Sequence, residues 1–483
     1  MDYSGFDVYA NSIHRIQEGG EQAEVFMARE RPPAAGDFLV ISGELPGFSG
    51  ELLADGRIKA PLSHGNANAL RKLFPFASPS RVLREDRSFG LGDRLGIAGP
   101  GHIKLFERYD AFPVFAQQSI RELNLTGRRY EDVLDAAVFA VFRENFQKSW
   151  GADGDHLKTP EDVEYALSLG FTMITLDCSE HIRGNVTVEN SGPLPEKYRE
   201  KYLGKQFDIG EGIVLNFNET ELKVMAAIYG DAIGFAAAIY SRFLKNGPAS
   251  GKAAYNADFE ISIDETATPT TPLQHYFVAR ELMDAGVSFA TIAPRFCGEF
   301  QKGIDYKGDL KQFEEEIKIH AAIARRFKYK LSIHSGSDKF SVFPYIGREC
   351  RGVFHVKTAG TNWLEAMRVI AQTEAPLYRE IHRYALEAFD EARKYYHVTA
   401  DLSKIPCVDS LSDAELPGLF ENDDARQLVH ITYGLILGKK NPDGSFTFRD
   451  RLYRNWRLNE DAYAQALERH IGKHLSLLGV KEN

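Results

Sequence analysis

The chain has 483 residues, 43% of them hydrophobic, enough to bury a large core, and a formal charge of −10 that argues against nucleic acid or an anionic membrane as partner. Its four cysteines, Cys178, Cys297, Cys350 and Cys407, form no C-x-x-C pair, which argues against a disulfide framework and suits a reducing cytoplasm. The chain shows neither an apolar run of about 18 residues nor a charged start followed by an apolar stretch, so no transmembrane helix and no signal peptide are expected.

Residues 1–100 are rich in Gly and Pro, with short strand candidates such as 37–41, and are expected to form an N-terminal cap or extension. Residues 101–483 are expected to form the catalytic domain. From about residue 110, strand and helix signals alternate, the pattern of βα units on a parallel sheet. Counting from there, the first strand is 112–117, and its helix carries Val133, Leu134, Ala137, Val138 and Val141 at three- and four-residue spacing. The second strand ends in Asp155-His156, after which Thr159 reads as an N-cap, Pro160 as the first helical residue and Gly170 as a stop. The third, 171–177, leads into a long polar stretch to about residue 218 and an Ala-rich helix to about 245; loops of that length are usually functional. The fourth ends near Asp264, before Thr271-Pro272 opens a helix. The fifth, 288–293, precedes a helix capped by Asp309 with Gln312. The sixth ends at His334 and the seventh near Lys357. The tail from 361 is mostly helical, and an eighth strand is sought at 402–406 or 428–431. The fold class expected is a (β/α)8 barrel with an N-terminal extension and a helical C-terminal tail.

Carboxylates and imidazoles at the carboxyl ends of barrel strands are how this architecture builds a metal-dependent active site. His156 and His334 end non-adjacent strands and are the first candidates for metal ligands. Glu260 and Asp264 lie four apart on one strand and share a face. An inward-facing acid is costly unless it meets a cation or substrate, and an internal salt bridge is the alternative for Glu260. Arg295 and Lys357 end strands and could clamp an anionic group, Arg through bidentate bonds. Ser335, in a Ser-Gly-Ser turn, could present backbone N–H groups to an anion. Gln117 and His355 complete the substrate-binding candidates. No Walker A, H-E-x-x-H or G-x-S-x-G motif occurs, and the glycines at 90, 92 and 96 are spaced one residue too long for a dinucleotide fingerprint.

The runs Phe89-Gly90-Leu91-Gly92-Asp93-Arg94-Leu95-Gly96, Gly151-Ala152-Asp153-Gly154-Asp155-His156-Leu157, Leu331-Ser332-Ile333-His334-Ser335-Gly336-Ser337-Asp338-Lys339-Phe340 and His355-Val356-Lys357-Thr358-Ala359-Gly360-Thr361-Asn362 together resemble the tagaturonate epimerase family. The resemblance implies a metal-dependent enzyme that interconverts D-tagaturonate and D-fructuronate, ketose acids differing at C4, with some relatives acting on fructose and tagatose. A more distant similarity is to class II ketose-bisphosphate aldolases, in which an Asp-His pair such as Asp155-His156 supplies a proton-transfer group and a zinc ligand, and a second ligand precedes a Gly/Ser turn, as His334 does. That pattern expects a further histidine where this chain has Pro294-Arg295-Phe296, so Glu260 becomes the candidate third ligand. It also makes Asp155 the first choice for proton transfer and Asp177 the second. The cofactor implied is a divalent ion (Zn, Mn, Ni, Co or Fe), and the partner a small ketose or uronate; a homo-oligomer is open. An aldolase, a ketose 3-epimerase or isomerase, and a sugar-acid binding protein without turnover are the rival readings.

Overall fold

The computed structural model describes residues 6–18, 21–31, 36–248 and 253–483. Eight parallel strands close into a barrel: β1 (Arg87–Leu91), β2 (Phe112–Ser119), β3 (Gly151–Leu157), β4 (Met173–Asp177), β5 (Asp258–Ile263), β6 (Thr291–Pro294), β7 (Lys330–Ile333) and β8 (Phe354–Thr358). They neighbour one another in chain order, and β8 closes on β1 with Val356 opposite Phe89. This is the expected (β/α)8 architecture.

The strand count moves by one. The run 112–117 is the second barrel strand, because β1 precedes it, within the segment 1–100 read as a cap. Neither 402–406 nor 428–431 is a strand: the first holds a single helical turn, Leu402–Lys404, and the second lies in the helix Asp423–Ile431. Strand β1 reads Arg-Ser-Phe-Gly-Leu, with no β-branched residue and one glycine, so its intrinsic strand signal is weak. The glycine is there for space: a Cβ at Gly90 would lie 1.8 Å from Gln117 Oε1.

Ahead of the barrel, six short strands between Asp7 and Pro61 form one antiparallel sheet, with Glu21–Arg29 and Asp37–Ser42 at its centre. Alternation along these two strands splits the burial. Val25, Met27, Leu39 and Ile41 join the main core, whereas Phe26, Ala28, Phe38 and Val40 form a small cluster on the other face. The barrel helices start and stop where the sequence signals them. Tyr130–Glu144 buries all five of its predicted core residues. Thr159 accepts from Asp162 N ahead of Pro160–Leu169, and Gly170 ends that helix at φ 96°. Thr271 and Gln274 form a capping box, and Asp309 caps Leu310–Phe327.

The long segment between β4 and β5 folds as a helix, Glu196–Tyr202, a two-stranded ribbon and the helix Glu219–Ile239, which runs on through Tyr240–Lys245. By length and composition Glu219–Lys245 is the one helix among the described residues apolar enough to cross a membrane; it packs on the barrel helix Pro272–Asp284. The C-terminal helices, ending in Glu460–Leu477, pack around the last barrel helix Gly360–Thr373. The turn after Ala375–Ala392 brings Tyr395, Tyr396 and His397 to the mouth of the barrel.

Candidate metal centre and active site

A cavity of about 490 Å³ opens at the carboxyl ends of the strands, the face where barrel enzymes carry their chemistry. Asp155 and His156 both line it, although consecutive strand residues ordinarily point to opposite faces. The backbone explains this. Gly154 pairs with Ile174 and Leu157 with Leu176, so β3 carries an extra residue there, and His156 adopts φ 54°. The bulge re-aims the side chains. Asp155 Oδ1 lies 2.7 Å from His156 Nδ1, leaving Nε2 as the ring's free ligand atom.

The His156 and His334 ring centroids are 4.9 Å apart. His334, just beyond β7, is held between two carboxylates: its Nδ1 lies 3.2 Å from Asp264 Oδ1 and its Nε2 2.8 Å from Glu260 Oε1. His156, Asp264 and His334 each present a ligand atom, all within 4.8 Å of one another, and so form a group able to hold a metal ion.

Below this group, Lys357 Nζ lies 2.6 Å from Asp153, 2.6 Å from Asp155 and 3.1 Å from Glu260. Glu260 also accepts from Thr291 Oγ1 at 2.6 Å and Thr175 Oγ1 at 3.1 Å. Three carboxylates, Asp153, Asp155 and Glu260, thus face one ammonium, and a fourth, Asp264, faces His334. Burial alone would disfavour their charged forms, but the adjacent cations hold Asp155, Glu260 and Asp264 far below the usual carboxylate range; only Asp153 is pushed up by burial, to about 6. The imidazoles answer this field. Burial lowers His334, yet Asp264 and Glu260 outweigh it and raise its pKa to about 10; His156 is raised in the same way by Asp155. A cluster that draws protons onto two histidines has room in its charge balance for a divalent cation in their place, so the donor set fits such an ion.

The other predicted residues fall into three groups. Gln117, Arg295 and Ser335 line the cavity. Gln117 Nε2 donates to Thr358 O at 3.2 Å, and its Oε1 has no partner. Arg295 Nη1 donates to Thr266 O. Ser335, at φ 50°, accepts from Lys302 Nζ at 3.0 Å. Lys357 also reaches the cavity, but its ammonium is engaged by three carboxylates, so it completes the floor and is not a free anion clamp. Glu260 lies beneath, on the Nε2 side of His334, in the internal salt bridge that was its alternative reading. Asp177 and His355 are outside the cavity lining. Asp177 Oδ1 accepts from Ser179 N at 2.8 Å and shapes the turn after β4. His355 Nδ1 lies 2.9 Å from Ser88 Oγ deep in the barrel, where burial takes its pKa to about 3. Sequence reasoning passed over Asp264 as a ligand and Lys302 altogether. Asp264 was detectable as the acid nearer the mouth, whereas Lys302 sits in an irregular loop after β6 without any pattern to mark it.

A second group, Asp338, His470 and His474, also converges. There Arg426 Nη2 lies 2.8 Å from Asp338 Oδ2, and His474 Nε2 accepts from Asp338 N at 2.9 Å. A fixed cation and an occupied lone pair leave no place for an ion. The group ties the helix Glu460–Leu477 to the loop that follows His334.

Known proteins resemble this chain over nearly its whole length. The family model for tagaturonate epimerase matches residues 9–478. A tagaturonate/fructuronate epimerase of Thermotoga maritima is 44% identical over 492 residues, spanning 98% of this chain and 97% of that relative. The native crystal structure of a fructuronate-tagaturonate epimerase from Cohnella laeviribosi superposes with a TM-score of 0.93 at 49% identity, covering 99% of this chain and 97% of that one. A form of that enzyme complexed with one glycerol gives 0.92 at 50% identity with the same coverage. The chain therefore belongs to the tagaturonate epimerase family and is an epimerase, an enzyme of the isomerase class.

Proposed function

We propose that this protein interconverts D-tagaturonate and D-fructuronate by inverting C4, with a divalent ion held by His156, Asp264 and His334. The observation that carries this reading is the meeting of two histidines and an aspartate from the carboxyl ends of three separate barrel strands at the mouth of the cavity. Family membership and the printed activities of the Thermotoga and Cohnella relatives support the substrate pair.

The C4 hydrogen of a 2-ketose is not alpha to the carbonyl, so simple proton abstraction does not reach it. Oxidation and re-reduction would need a nicotinamide, for which the sequence carries no fingerprint. The remaining route breaks C3–C4 in a retro-aldol sense, turns the aldehyde half and re-forms the bond on its other face. A divalent ion, held by His156, Asp264 and His334, would supply the Lewis acidity this cleavage needs.

The chain's own residues do the rest. Asp155 lines the cavity, is ionised, and takes its bonds from His156 and Lys357 on one oxygen, Oδ1. It is the group placed to accept the C4 hydroxyl proton as the bond breaks and to return it when the bond re-forms; low proton affinity favours the return. Glu260 and Asp155 orient the two imidazoles, the usual role of a carboxylate behind a metal-binding histidine. Tyr395, Tyr396 and His397 help enclose the mouth, which retains the fragments between cleavage and re-formation. Arg295 faces the same space and suits the C6 carboxylate.

Turnover of fructuronate in deuterium oxide tests the route. The expected product is tagaturonate without deuterium at C3 or C4 and without free three-carbon aldehyde. Deuterium at C3 would establish a proton-transfer epimerase or isomerase instead, and released aldehyde an aldolase.

A further inference from the structure

Several cations reach the cavity, and they differ in what neutralises them. Lys357 is surrounded by Asp153, Asp155 and Glu260. Arg121 lies 3.7 Å from Glu265 and stacks over the Tyr396 ring at 5.0 Å. Lys302 is different. It is half-buried, its Nζ donates to Ser335 Oγ at 3.0 Å, and among the described residues no carboxylate lies within ion-pair distance of it. The charges that face it are Arg121, Arg94 and Lys339, which repel it, and Glu122 and Glu265, which are already paired with Arg94 and Arg121. Burial and like charge lower its proton affinity, the mark of a cation short of a counter-ion.

Ser335 follows His334 directly, so the Lys302 ammonium stands near the proposed metal group, and Lys302 and Arg295 line the same cavity. Among the described residues Arg295 also has no carboxylate within ion-pair distance, and it donates to a backbone carbonyl. A substrate carboxylate entering that cavity would meet in Lys302 a cation with no counter-ion within reach. We infer, given the C4 epimerisation proposed above, that Lys302 binds the substrate carboxylate and thereby selects a uronate over a neutral ketose.

The test compares wild type with K302M, K302Q and K302R in the metal-loaded enzyme, measuring kcat and KM for fructuronate and the competitive inhibition constant of fructose. Using fructose as an inhibitor makes the comparison independent of neutral-ketose turnover. In K302M and K302Q the KM for fructuronate should rise about tenfold or more, the size of a lost charge-assisted hydrogen bond, with the fructose constant moving less than about twofold. K302R should stay near wild type. Parallel losses for both sugars would overturn the assignment, as would a fall in kcat at unchanged KM, which would make Lys302 a proton-transfer group. If K302M fails to fold, K302Q decides, since its amide can keep the bond to Ser335. Wild type that does not interconvert the two uronates would overturn the proposed function itself, and that control is read before any variant.

Discussion

His334 is flanked by two carboxylates that do different work. Asp264 stands on the His156 side, at the mouth, and Glu260 stands behind, tied to Lys357, Thr175 and Thr291. D264N and H334A should therefore lose bound metal outright in elemental analysis, whereas E260Q should retain an ion at about 10–100-fold weaker affinity. Full metal in D264N with none in E260Q would exchange the two roles. Lys357 makes a separate prediction. Its removal in K357M strands three buried carboxylates, and breaking such a network costs about 3–5 kcal/mol, which chemical denaturation would read as a lower midpoint. An unchanged midpoint would show that these charges are solvated. The Asp155-His156 pair and His334 were legible in the sequence because few strand-like runs end in such side chains. The choice between Glu260 and Asp264 was legible only in part: the order along the strand puts Asp264 nearer the mouth, but that Lys357 and two threonine hydroxyls engage Glu260 is a tertiary fact. Lys302 was invisible for another reason: it acts from an irregular loop.

At the scale of elements, periodicity and capping located the barrel helices, because Thr159, Thr271 and Asp309 make the N-cap bonds their residue types allow. Strand β1 escaped notice. Its five residues owe their conformation to pairing with β8 and β2 on either side, which is a tertiary effect. Gly90 is the pivot of that arrangement. G90A would drive a methyl group into the Gln117 amide and should cost about 1–3 kcal/mol of stability, together with activity, because Gln117 lines the cavity. A thermal unfolding midpoint equal to that of wild type would show that Gln117 swings away freely. The bulge in β3 was equally hidden, although it lets both Asp155 and His156 face the cavity. Nothing in Gly-Asp-His announces an extra residue in the strand until the partner register is known.

Across the whole molecule the barrel interior is a column of charge. Lys330 sits near its base, donating to Ser88 Oγ at 2.8 Å, and burial lowers its pKa from 10.5 to about 7. Between those two values the unfolded chain holds a proton that the folded chain has released, so stability rises with pH across that window. K330M lacks this linkage. Stability measured from pH 7 to 10 should climb more steeply in wild type than in K330M, and parallel curves would show that Lys330 keeps its proton in the fold. Higher in the column lie the four carboxylates, Lys357 and the two histidines, a set whose charge balance suits a divalent ion. The most direct measurement is turnover of fructuronate to tagaturonate by protein stripped of metal with a chelator, then titrated with a divalent ion while metal content per chain is followed. Turnover should disappear with the metal and return in proportion to occupancy at a single site. Undiminished turnover by the metal-free chain would contradict this.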